Sequence, residues 1–144
     1  MPDKVGSSGR VLGLDLGDVR IGVAISDPDR RLAVPLGTVH VGRPPGELKA
    51  IASLVADNDV ALVVLGYPLS LTGERGARAV LAEEFADALR AILDVPVELH
   101  DERLSTAEAE RSLRAAGASG RRSRELVDRS AATVILQSFI EASR

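Results

Sequence analysis

Acidic residues occupy three places in the sequence where a hydrophobic element is predicted to begin or end. Asp15 lies within an apolar strand, immediately before a glycine-containing turn, and Asp128 interrupts the apolar face of the last predicted helix. Asp101 and Glu102 directly follow the fifth predicted strand. A carboxylate in apolar surroundings costs several kcal/mol to desolvate unless it is paired, protonated or bound to a cation. Each acid also has an ordinary explanation, as a turn residue, a strand-end residue or a helix N-terminal charge.

Carboxylates that gather within a few ångströms repel one another, and a hard divalent cation holds them ionised. The 144 residues contain no cysteine and only two histidines, so the available oxygen ligands favour Mg²⁺ or Mn²⁺ over Zn²⁺. Such ions, when they bridge a phosphodiester, activate a water molecule and stabilise the leaving oxygen. The acids therefore predict metal-assisted phosphodiester hydrolysis without a protein nucleophile.

The composition narrows the class of protein. A chain of 144 residues with 45% hydrophobic residues is typical of one globular domain. Aromatic residues make up only 2%, which argues against binding of single strands by base stacking. No apolar run approaches the length of a membrane span, and the absence of cysteine fits a reducing compartment, so we expect a cytoplasmic location without membrane attachment.

Arginine is concentrated near the C-terminus, although the net charge of −3 argues against a protein that binds polyanions over its whole surface. Between residues 111 and 124 there are five arginines and no acid. We name the last three of them, Arg121, Arg122 and Arg124, the arginine cluster. It is predicted either to contact phosphate groups or to be the solvated end of a helix and its loop.

Hydrophobic periodicity and turn signals predict the element order β-β-β-α-β-α-β-α. A three-strand meander over residues 10–41 is extended by strands at 60–65 and 95–100, each reached through a helical crossover. This order gives a mixed five-stranded sheet with helices on both faces, an α/β architecture that is RNase H-like. The first strand is then central, and its carboxyl end opens into a ligand crevice. We expect residues 1–9 to form a flexible tail and residues 10–144 to form the RNase H-like nuclease domain.

Four helices follow from the apolar stripes and the helix-end signals, and the last two of them, after the fifth strand, stand for the final α of this order. One of about fourteen residues begins after the two prolines at 44 and 45, and the others cover about 77–93, 105–117 and 125–143. In the second helix, the residues predicted to be buried are Val80, Leu81, Phe85, Ala88, Leu89 and Ile92.

Four stretches of the sequence resemble the YqgF family, also called RuvX, and they cover nearly the whole chain in the family's order. The stretches are DLGDVRIGVAISD, VVLGYPLSLTGERG, LHDERLST and DRSAATVILQSF. The resemblance implies a nuclease, similar in fold to the RuvC Holliday junction resolvases, that acts in 5′-end maturation of pre-16S rRNA and thus in ribosome biogenesis. The implied partner is RNA (pre-rRNA), with branched DNA as the alternative.

The resemblance also implies which acids bind the metal. Carried over by motif, Asp15, Glu102 and Asp128 are the metal-binding, catalytic carboxylates. Strand alternation places Asp101 and Glu102 on opposite faces of the fifth strand, and the resemblance favours Glu102. Asp101 stays an alternative ligand.

Nucleic-acid contacts are expected from Arg20, which matches the basic position of the RIGVA stretch, together with Arg103 and the arginine cluster. The loop after the fourth strand is expected to contact substrate, although Ser70 stands where the family often has asparagine. The loop residues singled out by the match are Gly66, Pro68, Ser70 and Gly73.

Other functions stay open from the sequence. A Holliday junction resolvase requires two active sites on a two-fold-symmetric junction and hence a dimer, and the sequence leaves both monomer and homodimer possible. The first hairpin also occurs in the actin/hexokinase-type fold, where it holds ATP phosphates, but that fold closes two such domains around the nucleotide. A non-catalytic factor that binds ribosomal RNA or the transcription machinery is the remaining alternative.

Overall fold

A computed structural model describes residues 8–42, 46–104 and 131–143. The predicted helix at 105–117, the arginine cluster and Asp128 lie outside these residues, as does most of the predicted tail. Ser8 and Gly9, at the end of that tail, accept hydrogen bonds of 2.8 and 2.7 Å from the guanidinium of Arg30. None of the described helices combines the length and apolarity needed to span a bilayer.

The described elements follow the predicted order. The strands are β1 (Arg10–Leu16), β2 (Arg20–Ser26), β3 (Ala33–His40), β4 (Val60–Tyr67) and β5 (Val97–Asp101). The helices are α1 (Gly46–Asp57), α2 (Ala77–Ile92) and α3 (Ala131–Ala142), and a 3-10 turn (Glu102–Leu104) follows β5.

The five strands form one mixed sheet in the order β3-β2-β1-β4-β5. The first hairpin pairs antiparallel, with Asp15 opposite Gly22, whereas β1 and β4 run parallel, with Leu14 opposite Leu65. The pairing of β4 with β5 is also parallel. The carboxyl ends of β1, β4 and β5 therefore meet at one edge of the sheet, with β1 at its centre.

The strand residues alternate between two hydrophobic cores, because successive side chains of a strand point to opposite faces. Leu12 packs in the core shared with α1 and α2, whereas its neighbour Val11 packs in the core shared with α3. A Cβ added to Gly13 would lie 2.7 Å from the Cβ of Leu136, so the glycine permits α3 to approach β1 closely. The prediction of helices on both faces of the sheet is confirmed.

The buried face of α2 differs from the prediction. Leu81 and Ile92, predicted to be buried, are 54% and 49% exposed. Alanines instead face the sheet, because small side chains let the helix lie close to the strands. The prediction is right for Leu89, which is buried, and wrong for Leu81 and Ile92. The buried residues are Ala79, Ala82, Ala86 and Leu89.

Polar side chains within α3 fix its position on the sheet. Gln137 accepts a 2.8 Å hydrogen bond from the backbone N–H of Ala33. His100 of β5 lies 2.9 Å from the hydroxyl of Ser138 and packs edge-on against Phe139, and burial lowers the pKa of this histidine. Satisfied buried polar groups of this kind select one orientation of a helix. The start of α3 is thereby held next to the carboxyl end of β1.

Candidate active site

An open cleft lies where the parallel strands end. This is the edge at which α/β sheets bind ligands, because the loops that follow neighbouring strands diverge there. The strand ends, the first turn of α2 and the turn after β5 all contribute to it. The lining residues are Asp15, Leu16, Gly17, Asp18, Gly66, Pro68, Arg78, Leu81, Ala82 and Glu102.

Asp15 is held at the cleft by the tight turn between β1 and β2. The N–H of Gly17 donates a 3.0 Å hydrogen bond to the carbonyl of Arg20. A Cβ on Gly17 would lie 2.6 Å from that carbonyl oxygen, so the close approach requires glycine. Burial raises the pKa of Asp15, and the nearby charge of Arg78 partly offsets the rise.

Glu102 reaches the same cleft from the turn after β5. The adjacent position on β4 is Gly66, and a Cβ there would lie 2.8 Å from the Glu102 Oε2 atom. The missing side chain thus provides the space that the carboxylate occupies. Burial raises the pKa of Glu102, the negative charge of Asp15 raises it further, and Arg78 lowers it. The two carboxylates therefore act on each other electrostatically.

Asp101 has a different environment, although it is adjacent to Glu102 in sequence. Its carboxylate accepts hydrogen bonds from the Arg103 side chain, at 2.7 Å from Nη2 and 3.1 Å from Nε, and at 2.9 Å from the Arg103 backbone N–H. The hydrogen bond from Arg103 lowers the pKa of Asp101. Of the two neighbouring acids, Glu102 lines the cleft with Asp15, whereas Asp101 is paired with arginine.

Arg78 lines the cleft, although it is not among the arginines predicted from the sequence to contact nucleic acid. Its Nη2 donates a 3.3 Å hydrogen bond to the carbonyl of Leu16, and its Nη1 lies 3.7 Å from Asp18 Oδ1. Arg20, which was selected, is exposed at the start of β2 and does not line the cleft. The sequence did contain a signal for Arg78. It is the second residue of the predicted helix that directly follows the loop after β4, a loop expected to contact substrate.

The loop after β4 combines cleft residues with a self-contained turn. Gly66 and Pro68 line the cleft. Ser70 and Gly73 instead close the turn, in which the N–H of Gly73 donates to the Ser70 carbonyl at 2.8 Å and the Ser70 hydroxyl accepts from the N–H of Glu74 at 3.0 Å. Gly73 has a φ of 89°, a left-handed conformation that favours glycine. The Ser70 hydroxyl, at the position where the family often has asparagine, therefore stabilises the turn by accepting this hydrogen bond.

The chain matches the family model described as "RuvX: Holliday junction resolvase" over residues 9–142. The chain belongs to the RuvX family. The family resemblance found in the sequence is thereby confirmed.

Similar members of the family carry the name "Putative pre-16S rRNA nuclease". The protein from Chloroflexus aggregans is 46% identical over 134 residues, which are 93% of this chain and 94% of that protein. The protein from Mycolicibacterium paratuberculosis is 46% identical over 144 residues, covering 99% of this chain and 86% of that protein. These alignments include nearly the whole RuvX domain.

Solved structures of Thermus thermophilus RuvC share the fold. The free protein superposes with a TM-score of 0.56 at 16% identity, covering 93% of this chain and 95% of RuvC. RuvC in complex with a Holliday junction substrate gives a TM-score of 0.54 at 17% identity, with 94% and 95% of the two chains covered. The RNase H-like fold class predicted from the element order is confirmed.

The donor set of this RuvX-family cleft fits a hard divalent cation. Among the acids that line the cleft, Asp15 and Glu102 have raised pKa values because burial removes their carboxylates from water, and the charge of Asp15 raises the pKa of Glu102 further. A divalent cation relieves both effects. Within the described ranges, no group of three or more acidic, histidine or cysteine side chains is arranged to hold a metal ion. The third predicted ligand, Asp128, lies outside those ranges.

Proposed function

We propose that this protein is a divalent-metal-dependent nuclease that hydrolyses phosphodiester bonds in RNA during 5′-end processing of pre-16S rRNA. The observation that carries the proposal is the shared cleft of Asp15 and Glu102 in a chain of the RuvX family. The names of the curated relatives support RNA as the substrate. The proposal places this activity in the cytoplasm, on precursors of ribosomal RNA.

The catalytic carboxylates of the proposal are Asp15, Glu102 and Asp128, which hold Mg²⁺ or Mn²⁺. Such an ion supplies Lewis-acid stabilisation and a nucleophilic water. Ala132 at the start of α3 lies 3.6 Å from the Cβ position of Gly22, and Asp15 Cβ lies 3.7 Å from the same point. Asp128 precedes Ala132 by four residues, the spacing of one turn in the helix predicted at 125–143, and this spacing supports its assignment as the third ligand.

The carboxylates of Asp15 and Glu102 make the cleft favourable for a divalent cation. Without a metal ion, the ionised carboxylates of Asp15 and Glu102 repel each other and are partly desolvated. A bound cation offsets both costs, so the pair favours cation binding. Asp101 forms an ion pair with Arg103 and is the alternative ligand only if that pair opens. Arg20, Arg103 and the arginine cluster contact phosphates of the nucleic acid under this proposal.

Cleavage of a four-way DNA junction is the second candidate function, because the family model carries the description of a Holliday junction resolvase. This activity requires a dimer that presents two clefts to one junction. Cleavage of a four-way junction compared with an rRNA precursor distinguishes the two substrates.

The experiment compares the wild type with Asp15→Asn in Mg²⁺, in Mn²⁺ and in chelator, on labelled pre-rRNA and on DNA junctions. The matched control is Asp57→Asn, the same chemical change at an exposed position on α1. We expect Asp15→Asn to abolish cleavage while it leaves the fold and most of the RNA binding intact. Unchanged cleavage by purified Asp15→Asn contradicts the assignment, and an equal effect of the wild type and the variant in cells favours the non-catalytic role.

A further inference from the structure

We propose that Arg78 contacts a backbone phosphate of the bound nucleic acid at the rim of the cleft, an inference that rests on the proposed nuclease function. Arg78 stands in the first turn of α2 and lines the cleft together with Asp15 and Glu102. Its side chain is 61% exposed. The ligand class is a phosphodiester, and the contact is charge-assisted.

Two neighbouring arginines, Arg75 and Arg103, form ion pairs with carboxylates. Arg103 forms a forked pair with Asp101, and Arg75 donates to both oxygens of Glu83 at 2.7 and 2.6 Å. The charge of each of these guanidinium groups is therefore partly offset by an acid, which weakens its attraction for a phosphate.

Arg78 makes weaker contacts within the described part of the chain. The hydrogen bond to the Leu16 carbonyl is 3.3 Å long, and the nearest acid, Asp18, is 3.7 Å away with a side chain that is 87% exposed. A guanidinium carries five N–H donors in a fixed fork, so these contacts leave donors for a phosphate. An exposed ion pair at this distance contributes little and is readily exchanged for another anion.

The position of Arg78 suits a substrate that must approach two negative groups. A phosphodiester entering the cleft meets the carboxylates of Asp15 and Glu102, and a guanidinium beside them offsets the repulsion. The contact with Leu16, the residue that follows Asp15, sets the position of the guanidinium relative to that carboxylate. Arginine is suited to this task because it binds phosphate oxygens in a bidentate manner.

The test uses Arg78→Ala, Arg78→Lys and a charge-matched control, Lys49→Gln, which removes one positive charge from an exposed position on α1 outside the cleft lining. Binding of a labelled single-stranded RNA is measured in chelator as a function of salt concentration, and steady-state cleavage is measured in Mg²⁺. We expect Arg78→Ala to reduce the slope of log K against log salt by about 0.7, the value for one phosphate contact on a single strand. We expect it to raise KM about tenfold. Arg78→Lys restores the slope, because it keeps the charge.

The outcomes separate this inference from the proposed function. A salt slope and KM of Arg78→Ala equal to those of Lys49→Gln overturn the inference, even if the wild type cleaves RNA. A reduced slope with a wild type that does not cleave supports the phosphate contact and overturns the nuclease proposal. Absence of RNA binding by the wild type overturns the inference, because no phosphate is then bound.

Discussion

Replacing Gly66 with alanine tests whether the Glu102 carboxylate must lie where the structure places it. The added Cβ would lie 2.8 Å from Glu102 Oε2 and 2.8 Å from Ile135 Cδ1, distances at which something has to shift. Carbon–carbon contacts are most favourable at about 3.5–4.0 Å, so the Ile135 methyl must retreat by about 0.7 Å or more. Both crowded atoms are the free ends of flexible side chains, and the strain is therefore relieved by moving the carboxylate.

The expected effect of Gly66→Ala is thus larger on activity than on stability. A displaced catalytic group costs about 100-fold in kcat/KM, which corresponds to about 2.7 kcal/mol of transition-state stabilisation. The free energy of unfolding changes by about 1 kcal/mol or less, because the lower entropy of the unfolded alanine chain offsets part of the strain. Cleavage of labelled RNA at several Mg²⁺ concentrations, with chemical denaturation in parallel, measures both quantities.

Gly13→Ala is the matched control for this experiment. Its added Cβ would lie 2.7 Å from the Cβ of Leu136 and 3.3 Å from the backbone carbonyl of Ala132, and neither atom can move without moving α3. We expect a loss of about 2 kcal/mol or more in the free energy of unfolding, or about 5 °C in Tm, which sets the scale for a glycine replacement whose strain cannot be relieved by a side chain. Wild-type kcat/KM in Gly66→Ala, or a stability loss as large as that of Gly13→Ala, refutes the reasoning.

Three further predictions concern charged residues. Without metal, burial raises the pKa values of Asp15 and Glu102 above their ordinary values of 3.8 and 4.5, so the folded state binds protons more tightly and these groups add stability as the pH falls through the raised values. Denaturation in chelator at about pH 5 and about pH 8 should show a smaller stabilisation at the lower pH in Glu102→Gln than in the wild type. The comparison with the variant is needed because His100, whose pKa burial lowers, acts in the opposite direction in both proteins. Asp101→Asn should cost about 1 kcal/mol or less and leave cleavage within about threefold, whereas Glu102→Gln should abolish cleavage; equal losses of cleavage contradict the choice of ligand. Charge reversal of the arginine cluster should weaken RNA binding for all sequences and flatten its salt dependence, and an unaltered salt slope identifies a merely solvated surface.

The sequence by itself predicts the architecture and the position of Asp15. Strand alternation, helical periodicity and turn residues are local properties of the chain, and together with the handedness of crossovers they leave few possible sheet orders. The resulting order places β1 at the centre with its acid at the carboxyl end. The family stretches add Glu102 as the partner acid, and the structure brings both side chains to one cleft. The roles of Asp128 and of the arginine cluster stay predictions.

Only the tertiary structure decides which side chains surround these acids. The choice between adjacent Asp101 and Glu102 depends on Arg103, which pairs with the first, and on Gly66, which leaves space for the second. The rotation of α2 depends on the fit of its alanines to the sheet, a packing property between elements distant in sequence. That rotation leaves Leu81 exposed. Arg78 lies one helical turn before Leu81 and lines the cleft with it, a placement that depends on where the helix begins relative to the strand ends.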